Sequence, residues 1–223
     1  MKKGKKSLTV YFYQMIEGIR HIIFDLGGVL LNLDYSLTER AFRDSGISNF
    51  DELFSQAKQA ELFDRFETGH ISEDEFIAGL QKLVTMELSG ENIRNAWNAM
   101  LLDFPLKRLQ LLQQLRLHYD LVLLSNTNGI HEAAFSKILL DSRGVSIGEF
   151  FDKVYLSHRM GMRKPDEEIF RKILEDTGFK PEHTLFIDDS IQHVEGARKL
   201  GIKAIHLEKG MTIEDNIFLP KGR

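Results

Sequence analysis

The sequence predicts an α/β fold, an open parallel sheet with helices on both faces, into which a helical segment is inserted. Short apolar runs recur along the chain between stretches of helical periodicity, a pattern typical of strands that are buried on both faces of a parallel sheet. One interval of about 70 residues shows helical periodicity and no convincing strand. The chain of 223 residues is long enough for one sizeable domain with such an insertion.

Five segments are predicted as strands, because each is a nearly continuous apolar run. They cover residues 21–26, 120–126, 153–157, 183–189 and 203–208. Helical patterns between or after the later strands cover about 130–140, 166–177 and 191–200. Alternation of strand and helix predicts right-handed βαβ units and therefore a parallel sheet.

The long helical interval lies between the first two predicted strands, and we expect it to form a separate cap domain. The expected division is an N-terminal extension at 1–18, a core at 19–34 and 105–223, and the cap at 35–104. Helix starts are indicated at Ser72, which opens the capping-box sequence SEDE, and at Ser89. Without a Pro- or Gly-rich linker, the insertion must leave and re-enter through short segments near 31–36 and 103–106, which would form a hinge.

Composition and charge exclude several classes of partner and site. The 29 basic and 33 acidic side chains give a net charge of -4, without the basic excess that attracts nucleic acid or anionic lipid. There is no cysteine, so any metal must have oxygen or imidazole ligands. No run approaches the roughly 20 apolar residues of a membrane span, and the lysine-rich start lacks a signal-peptide cleavage site. We therefore expect a cytoplasmic protein without nucleic-acid or membrane partners.

Polar residues stand at or just after the ends of several apolar runs. They are Asp25, Ser125, Lys164 and the pair Asp188 and Asp189. Taken singly, each has an ordinary explanation, since a serine after a strand is commonly a helix cap. In an open α/β sheet, however, the carboxyl ends of the strands line one crevice where ligands bind. We therefore expect these side chains to meet in one site.

The residue types in this set favour phosphoryl transfer. Asp25, Asp188 and Asp189 would repel one another unless a cation lay between them, which predicts a hard divalent ion, with Mg²⁺ the natural choice. Backbone amides that follow Ser125 at a helix start favour an anion, and Lys164 adds a positive charge. A metal, an anion site, a lysine and a carboxylate nucleophile are what transfer through an aspartyl-phosphate requires.

Four motifs, in this order, resemble those of the haloacid dehalogenase-like (HAD) hydrolase superfamily. They are FDLGGVL with Asp25, LLSNTN with Ser125, RKPD with Lys164, and FIDDS with Asp188 and Asp189. The resemblance spans about residues 20–208, and the insertion stands where the helical C1-type cap of the family is found. It implies a Rossmann-like core, a mobile cap that closes over the site, and a Mg²⁺-dependent phosphatase mechanism.

The resemblance also implies a role for each site residue. Asp25 would attack phosphorus, while Ser125 and Lys164 would hold the phosphoryl group and Asn126 would lend it an amide. The implied metal ligands are Asp25, the backbone carbonyl of Gly27, Asp188 and Asp189, directly or through water. The DLGxV pattern is similar to that of a branch with members that act on sugar phosphates. We therefore expect a small phosphorylated substrate, with a sugar phosphate favoured.

The sequence departs from the family pattern at Gly27. Family phosphatases usually have a second aspartate there, which protonates the leaving oxygen and then activates water; loss of such help slows a reaction about 10²- to 10⁴-fold. The insertion could supply the missing group, with Asp64, Glu67 and His70 as candidates because they lie in the turn before the helix at Ser72. Alternatively, the substrate could have a good leaving group, or its own hydroxyl could assist.

Other functions remain open from the sequence. Because of Gly27, the protein could be a non-catalytic phospho-ligand-binding or regulatory protein. A 2-haloacid dehalogenase would use the aspartate nucleophile without a metal, but the pair Asp188 and Asp189 would repel its carboxylate substrate. A phosphomutase would be expected to keep the second acid–base aspartate. Among the histidines, His193 follows the fourth motif and could approach the metal site.

Overall fold

The computed structural model describes residues 15–47, 49–59, 61–84 and 87–218. The strands within these ranges are β1 (His21–Phe24), β2 (Asp120–Ser125), β3 (Lys153–Leu156), β4 (Thr184–Asp188) and β5 (Lys203–His206). They form one sheet in the order β3-β2-β1-β4-β5, with every pair of neighbours parallel. The predicted α/β class is confirmed, and each predicted strand is found. Most of the predicted N-terminal extension, residues 1–14, lies outside the described residues.

The middle strand of the sheet, β1, pairs with β2 on one side and β4 on the other. His21 lies opposite Asp120 of β2 and opposite Thr184 of β4, so the three strands start level with one another. Because they also run in the same direction, their carboxyl ends lie at one edge of the sheet. Residues that directly follow these strands are therefore neighbours in space, as expected for an open α/β sheet.

Helices follow or precede every strand. Those before β2 are α1 (Tyr35–Asp44), α2 (Phe50–Gln59), α3 (Leu62–Glu67), α4 (Glu73–Leu83), α5 (Gly90–Asn98) and α6 (Leu106–Leu115). Those after β2 are α7 (Gly129–Arg143), α8 (Ser157–Met160), α9 (Glu167–Thr177) and α10 (Ile191–Arg198). The three predicted helices after β2 correspond to α7, α9 and α10. Within the described ranges, no helix is both long and apolar enough to cross a membrane.

Separate hydrophobic clusters cover the two faces of the sheet. Ile22 and Phe24 of β1 point into a cluster that includes side chains of α6 and α7. Ile23, between them, points into a cluster that includes side chains of α9 and α10. All three side chains are fully buried, and each stabilises the fold by about 1.5–3 kcal/mol. Burial on both faces explains why the strand is a continuous apolar run, and it confirms the predicted helices on both faces.

Helices α1 to α5 form the helical insertion between β1 and β2, and they pack around a hydrophobic cluster rich in aromatic side chains. The rings of Phe66 and Phe76 stack with centroids 4.2 Å apart. Those of Phe63 and Trp97 stack at 5.3 Å. The insertion thus has a core that is largely its own, and residues 35–104 remain our proposed boundaries for it.

Local capping sets the starts of two helices in the insertion. The Ser72 hydroxyl accepts from the N–H of Glu75, and the Glu75 carboxylate accepts from the N–H of Ser72, so the predicted capping box before α4 is present. Ser89 caps α5 by accepting from the N–H of Asn92. These contacts satisfy backbone donors that have no partner within the helix.

The two chain segments that connect the insertion to the sheet lie side by side. The N–H of Asn32 donates to the carbonyl of Asp103 at 2.9 Å, and the N–H of Leu102 donates to the carbonyl of Asn32 at 3.0 Å. Leu33 and Leu101 form an antiparallel bridge. The insertion therefore leaves and returns at one place, and a hinge there remains a prediction.

Candidate active site

Asp25 directly follows β1 and lies at the carboxyl edge of the sheet. Its N–H donates to the carbonyl of Ile187 in β4 at 2.9 Å, which fixes the backbone of Asp25 against that strand. The residue is only 7% exposed. An isolated carboxylate in such a position would be unfavourable, so the groups around it decide its charge and its use.

The glycine turn after Asp25 allows a close approach between the first and fourth motifs. Gly28 has a φ of +72°, a backbone conformation that favours glycine. A Cβ at this position would lie 2.1 Å from Oδ2 of Asp189. Gly28 therefore lets the turn pass directly against the Asp189 carboxylate, a role that the pattern of the first motif did not indicate.

Lys164 reaches Asp25 from the loop before α9 and is fully buried. Its Nζ lies 2.6 Å from Oδ1 of Asp25, 2.6 Å from Oδ2 of Asp188 and 3.1 Å from the carbonyl oxygen of Leu124. An ammonium group has three N–H donors, and each has a protein acceptor here. Lys164 thus orients two carboxylates and compensates part of their negative charge. The contact of Lys164 with a phosphate stays a prediction, because Nζ would have to give up one of these three hydrogen bonds to form it.

Burial and the charge of Lys164 have opposing effects on the pKa values of Asp25 and Asp188. Burial raises the pKa of Asp25 from 3.8 to about 7, although the charge of Lys164 lowers it. Burial also disfavours the charge of Asp188, but Lys164 and His193 outweigh it and lower the pKa of Asp188 to about 2. For Lys164, burial is outweighed by Asp25 and Asp188, which raise its pKa. Asp188 is therefore the charged partner of Lys164, and Asp25 is left without full compensation.

Asp188 is held by further donors that follow β4. Its Oδ1 accepts from the N–H of Ser190 at 2.7 Å and lies 3.0 Å from Nδ1 of His193. The approach of His193 to this carboxylate agrees with the sequence prediction. Because Lys164, Ser190 and His193 occupy its oxygens, Asp188 is less available for a direct ligand than Asp189.

The three acidic residues fit a divalent cation. Asp25, Asp188 and Asp189 each place one carboxylate oxygen within 4.8 Å of the others. Desolvation and the negative charge of Asp188 raise the pKa of Asp189, so the cluster carries more negative charge than Lys164 compensates. Hard cations such as Mg²⁺ bind oxygen ligands of this kind, and Asp189 is the exposed member of the group.

Ser125 and Asn126 lie at the end of β2, beside the acidic cluster. The Asn126 carboxamide donates to the carbonyl of Lys164 and accepts from its N–H, both at 2.9 Å. It therefore holds the lysine loop against β2, and a contact of Asn126 with a phosphate would come from its backbone N–H. The sequence did not indicate that the Asn126 carboxamide binds the backbone of Lys164. Helix α7 begins at Gly129, close to the predicted start at about 130, and Asn128 caps it by accepting from the N–H of His131.

Two adjoining cavities lie between the carboxyl edge of the sheet and the insertion. The polar cavity, of about 620 Å³, is bordered by Asp25, Glu67, Arg163, Asp189 and His193 among others. The aromatic cavity, of about 600 Å³, is bordered by Phe50, Phe54, Phe63, Trp97 and Ser125 among others. Both are lined by Gly27, Leu33, Tyr35, Glu67 and Asn126. A ligand bound at the acidic cluster therefore has room to extend against the insertion.

Arg163 joins the insertion to the loop that carries Lys164. Its Nη2 lies 3.0 Å from Oε2 of Glu67, and its Nη1 forms an ion pair with Asp64. Among the three acid–base candidates from the insertion, Glu67 lines both cavities, Asp64 lines only the aromatic one, and His70 lines neither. The position of Arg163 next to the motif lysine did not reveal that its side chain turns towards the insertion.

His131, near the start of α7, makes a contact between core and insertion that depends on its charge. Its Nε2 lies 3.0 Å from the carbonyl oxygen of Trp97, and the two rings stack with centroids 5.3 Å apart. Because a carbonyl only accepts, Nε2 carries the proton. Burial lowers the pKa of His131 from 6.5 to about 4, although the bond to Trp97 opposes this shift. His131 is therefore neutral in the folded protein at neutral pH.

The contribution of His131 to the stability of the fold should decrease as the pH falls from 6.5 towards 4, because only the unfolded chain takes up a proton at His131 in this window. The expected contribution to the free energy of unfolding is a loss of roughly 2–3 kcal/mol. Urea unfolding at about pH 7.5 and about pH 4.5 measures this loss. The control is His131→Gln, whose side chain at this position does not bind a proton in this pH range. Acidification should destabilise the wild type more than the variant by that amount; an equal loss in both would contradict the assignment.

Comparison with known proteins identifies the family of this chain. The family model for haloacid dehalogenase-like hydrolases matches residues 19–201. A D-ribitol-5-phosphate phosphatase of Bacteroides thetaiotaomicron is 32% identical over 192 residues, which cover 86% of this chain and 93% of the relative.

Solved structures of similar proteins share the architecture. A HAD family enzyme of Bacteroides thetaiotaomicron, in complex with magnesium and inorganic phosphate, has a TM-score of 0.81 at 38% identity, covering 89% of this chain and 98% of its own. A predicted HAD-like family hydrolase of Porphyromonas gingivalis has a TM-score of 0.78 at 38% identity, covering 89% of this chain and 94% of its own. The sequence resemblance is thus confirmed, and the chain belongs to the haloacid dehalogenase-like hydrolase family and is a hydrolase.

Proposed function

We propose that this protein is a cytoplasmic, Mg²⁺-dependent phosphatase that hydrolyses a small phosphorylated metabolite through an aspartyl-phosphate intermediate. The observation that carries the proposal is the Lys164 ammonium, 2.6 Å from both Asp25 and Asp188, beside a third carboxylate at Asp189. A carboxylate that is buried, oriented by a lysine and open to a cavity is suited to nucleophilic attack on phosphorus. Family membership supports the same chemistry.

The proposed reaction has two displacements at phosphorus. The Asp25 carboxylate attacks phosphorus as the bond to the leaving oxygen breaks, and water then attacks the phosphorus and releases Asp25. Lys164 binds Oδ1 of Asp25, which leaves the second oxygen to face the phosphorus. The hydroxyl of Ser125 and the backbone N–H of Asn126 bind phosphoryl oxygens, and the buried charge of Lys164 stabilises the negative charge that collects there.

The acidic cluster is the proposed metal site. Asp25, Gly27 and Asp189 line the polar cavity. The two carboxylates and the backbone carbonyl of Gly27 would bind Mg²⁺ directly, with Asp188 acting through water. When bound, Mg²⁺ supplies positive charge that offsets the repulsion between carboxylates and phosphate. The similar enzyme solved with magnesium and inorganic phosphate supports this choice of ion.

The aromatic cavity is the proposed site of the organic part of the substrate, with the insertion acting as a cap. A sugar phosphate is favoured, because a similar protein is a D-ribitol-5-phosphate phosphatase. The carbon chain of such a ligand can pack on the rings of Phe63 and Trp97, while Thr38 and Glu39 in the same cavity offer partners for hydroxyl groups. The cavity of about 600 Å³ lies within the size range of small-molecule sites.

A phosphate-release screen tests this function. Purified protein is incubated with sugar phosphates, polyol phosphates, nucleotides and aryl phosphates, each with Mg²⁺ and with a chelator. We expect release from at least one polyol or sugar phosphate, and a loss of roughly 10²-fold or more on metal removal. Saturable binding without release from any compound would instead favour a non-catalytic phospho-ligand-binding protein. Halide release from 2-chloropropionate without metal would favour a dehalogenase.

A further inference from the structure

We infer that Glu67, from the helical insertion, is the general acid and base of the hydrolysis, the role that position 27 cannot fill because it is glycine. This inference rests on the phosphatase function proposed above. It assigns chemistry to a carboxylate that the fold brings to the site from outside the four motifs.

Glu67 is held at the cleft by the loop that also carries the motif lysine. Its Oε2 lies 3.0 Å from Nη2 of Arg163, and Arg163 directly precedes Lys164, whose Nζ is 2.6 Å from Asp25. A short series of contacts thus connects the insertion carboxylate to the nucleophile. Glu67 and Gly27 also line both cavities. Glu67 therefore borders the same space as the position that usually carries the acid.

The surroundings of Glu67 suit a group that gives and takes a proton. Its Oε2 is buried and, although close to Arg163, has no partner in hydrogen-bond geometry among the described residues. Burial raises the pKa of Glu67, and the charge of Arg163 opposes that shift. Burial favours the protonated acid, and Arg163 stabilises the carboxylate that remains after donation.

Other side chains near the cleft are less suited to this role. Asp64 pairs with the same guanidinium, but its side chain is 68% exposed and does not line the polar cavity. His70 lines neither cavity, and its ring nitrogen is 2.6 Å from the hydroxyl of Thr68. Desolvation and the nearby carboxylates raise the pKa of Tyr35 to about 12, so its hydroxyl is a weak acid at neutral pH.

The protons balance over the two displacements. In the first, the bond between the Asp25 oxygen and phosphorus forms, the bond to the leaving oxygen breaks, and the Glu67 carboxyl donates its proton to that oxygen. An alcohol departs and Glu67 is left as a carboxylate. In the second, a water oxygen attacks phosphorus, Glu67 takes the water proton, and the bond to Asp25 breaks. Inorganic phosphate leaves, and both side chains return to their starting forms.

The test compares two esters of similar shape, 4-nitrophenyl phosphate and 4-methylphenyl phosphate. The nitrophenolate leaves readily without a proton, whereas the methylphenolate is a poorer leaving group that needs one. Rapid mixing with saturating Mg²⁺ measures the first-turnover rate for wild type, Glu67→Gln and Asp64→Asn. The last is the matched control, because it removes the other carboxylate that pairs with Arg163 and keeps Glu67.

In Glu67→Gln, we expect the first-turnover rate to fall roughly 10²-fold or more for the methylphenyl ester, and less than about threefold for the nitrophenyl ester. Nitrophenolate should then appear in a burst, because the second displacement has lost its base. In Asp64→Asn, the two rates should change by the same factor. A partly unfolded sample lowers both rates equally, so the ratio of the rates reports on the chemistry alone.

The inference is overturned if Glu67→Gln keeps the wild-type ratio of the two rates, or if Asp64→Asn shifts that ratio as far as Glu67→Gln does. In both cases the wild type still releases phosphate, so the proposed function stands. Failure of the wild type to release phosphate from these esters and from every compound of the screen overturns the proposed function, and the inference with it.

Discussion

Replacement of Asp25 by asparagine should reduce phosphate release by roughly 10⁴-fold or more, because a carboxamide cannot form the aspartyl-phosphate. Residual release is measured with the best substrate of the screen and a large amount of enzyme. Ser45→Ala, in the insertion and away from both cavities, is a control for handling and contamination. A tenfold change in rate is on the order of the effect of losing one weak contact. Release by Asp25→Asn within tenfold of the wild type would therefore exclude Asp25 as the nucleophile.

The same variant should show that Asp25 is kept for chemistry and not for stability. Folding raises the pKa of Asp25 from 3.8 to about 7, so the ionisation of Asp25 destabilises the metal-free wild type increasingly as the pH rises through this window. Asparagine has no charge to desolvate. In the presence of a chelator, Asp25→Asn should therefore unfold at a higher temperature than the wild type at about pH 8, and this advantage should vanish at about pH 4. An advantage that is independent of pH would contradict this explanation.

Replacement of Lys164 by methionine should destabilise the metal-free protein by about 3–5 kcal/mol at about pH 8, because two buried carboxylates lose their shared cation. Lys164 is fully buried, and it lies 2.6 Å from Asp25 and from Asp188. The loss should be smaller at about pH 5, where the carboxylates without a partner can bind protons. Urea unfolding with a chelator present measures both values.

A surface lysine provides the control for Lys164. Lys172 forms an exposed ion pair with Asp176 at 2.9 Å, and such pairs contribute little to stability because solvent screens them. Lys172→Met should therefore leave stability almost unchanged. If Lys164→Met lowers stability no more than Lys172→Met does, the contacts of Lys164 do not stabilise the fold. Catalysis should be lost in Lys164→Met and kept in Lys172→Met.

The sequence predicted the fold class well because the relevant signals are local. A strand such as β1, buried on both faces, has to be a continuous apolar run, and Ile22, Ile23 and Phe24 are fully buried. The capping box at Ser72 is likewise complete within four residues. Such patterns can be recognised from the sequence alone, because the residues that produce them lie close together along the chain.

The acidic cluster was also predictable, since parallel strands place the residues that follow them at one edge of the sheet. Asp25 follows β1, and Asp188 ends β4, the neighbour of β1. Their meeting needs only the strand order and direction. Lys164 was predicted only as a residue of the site. The sequence did not indicate that it bridges these two carboxylates, or which three acceptors its ammonium group contacts.

The sequence by itself determined the α/β class, the order of the motifs and the choice of Asp25 as the proposed nucleophile, because periodicity and strand ends carry that information. Only the tertiary structure decided which side chains support them. The carboxamide of Asn126 binds the backbone of Lys164 across 38 positions, and Arg163 pairs with Asp64 across 99. Such contacts depend on how the insertion and the sheet pack together, which no local pattern encodes. That packing brings Glu67 to the two cavities that Gly27 also lines, which distinguishes it from Asp64 and His70.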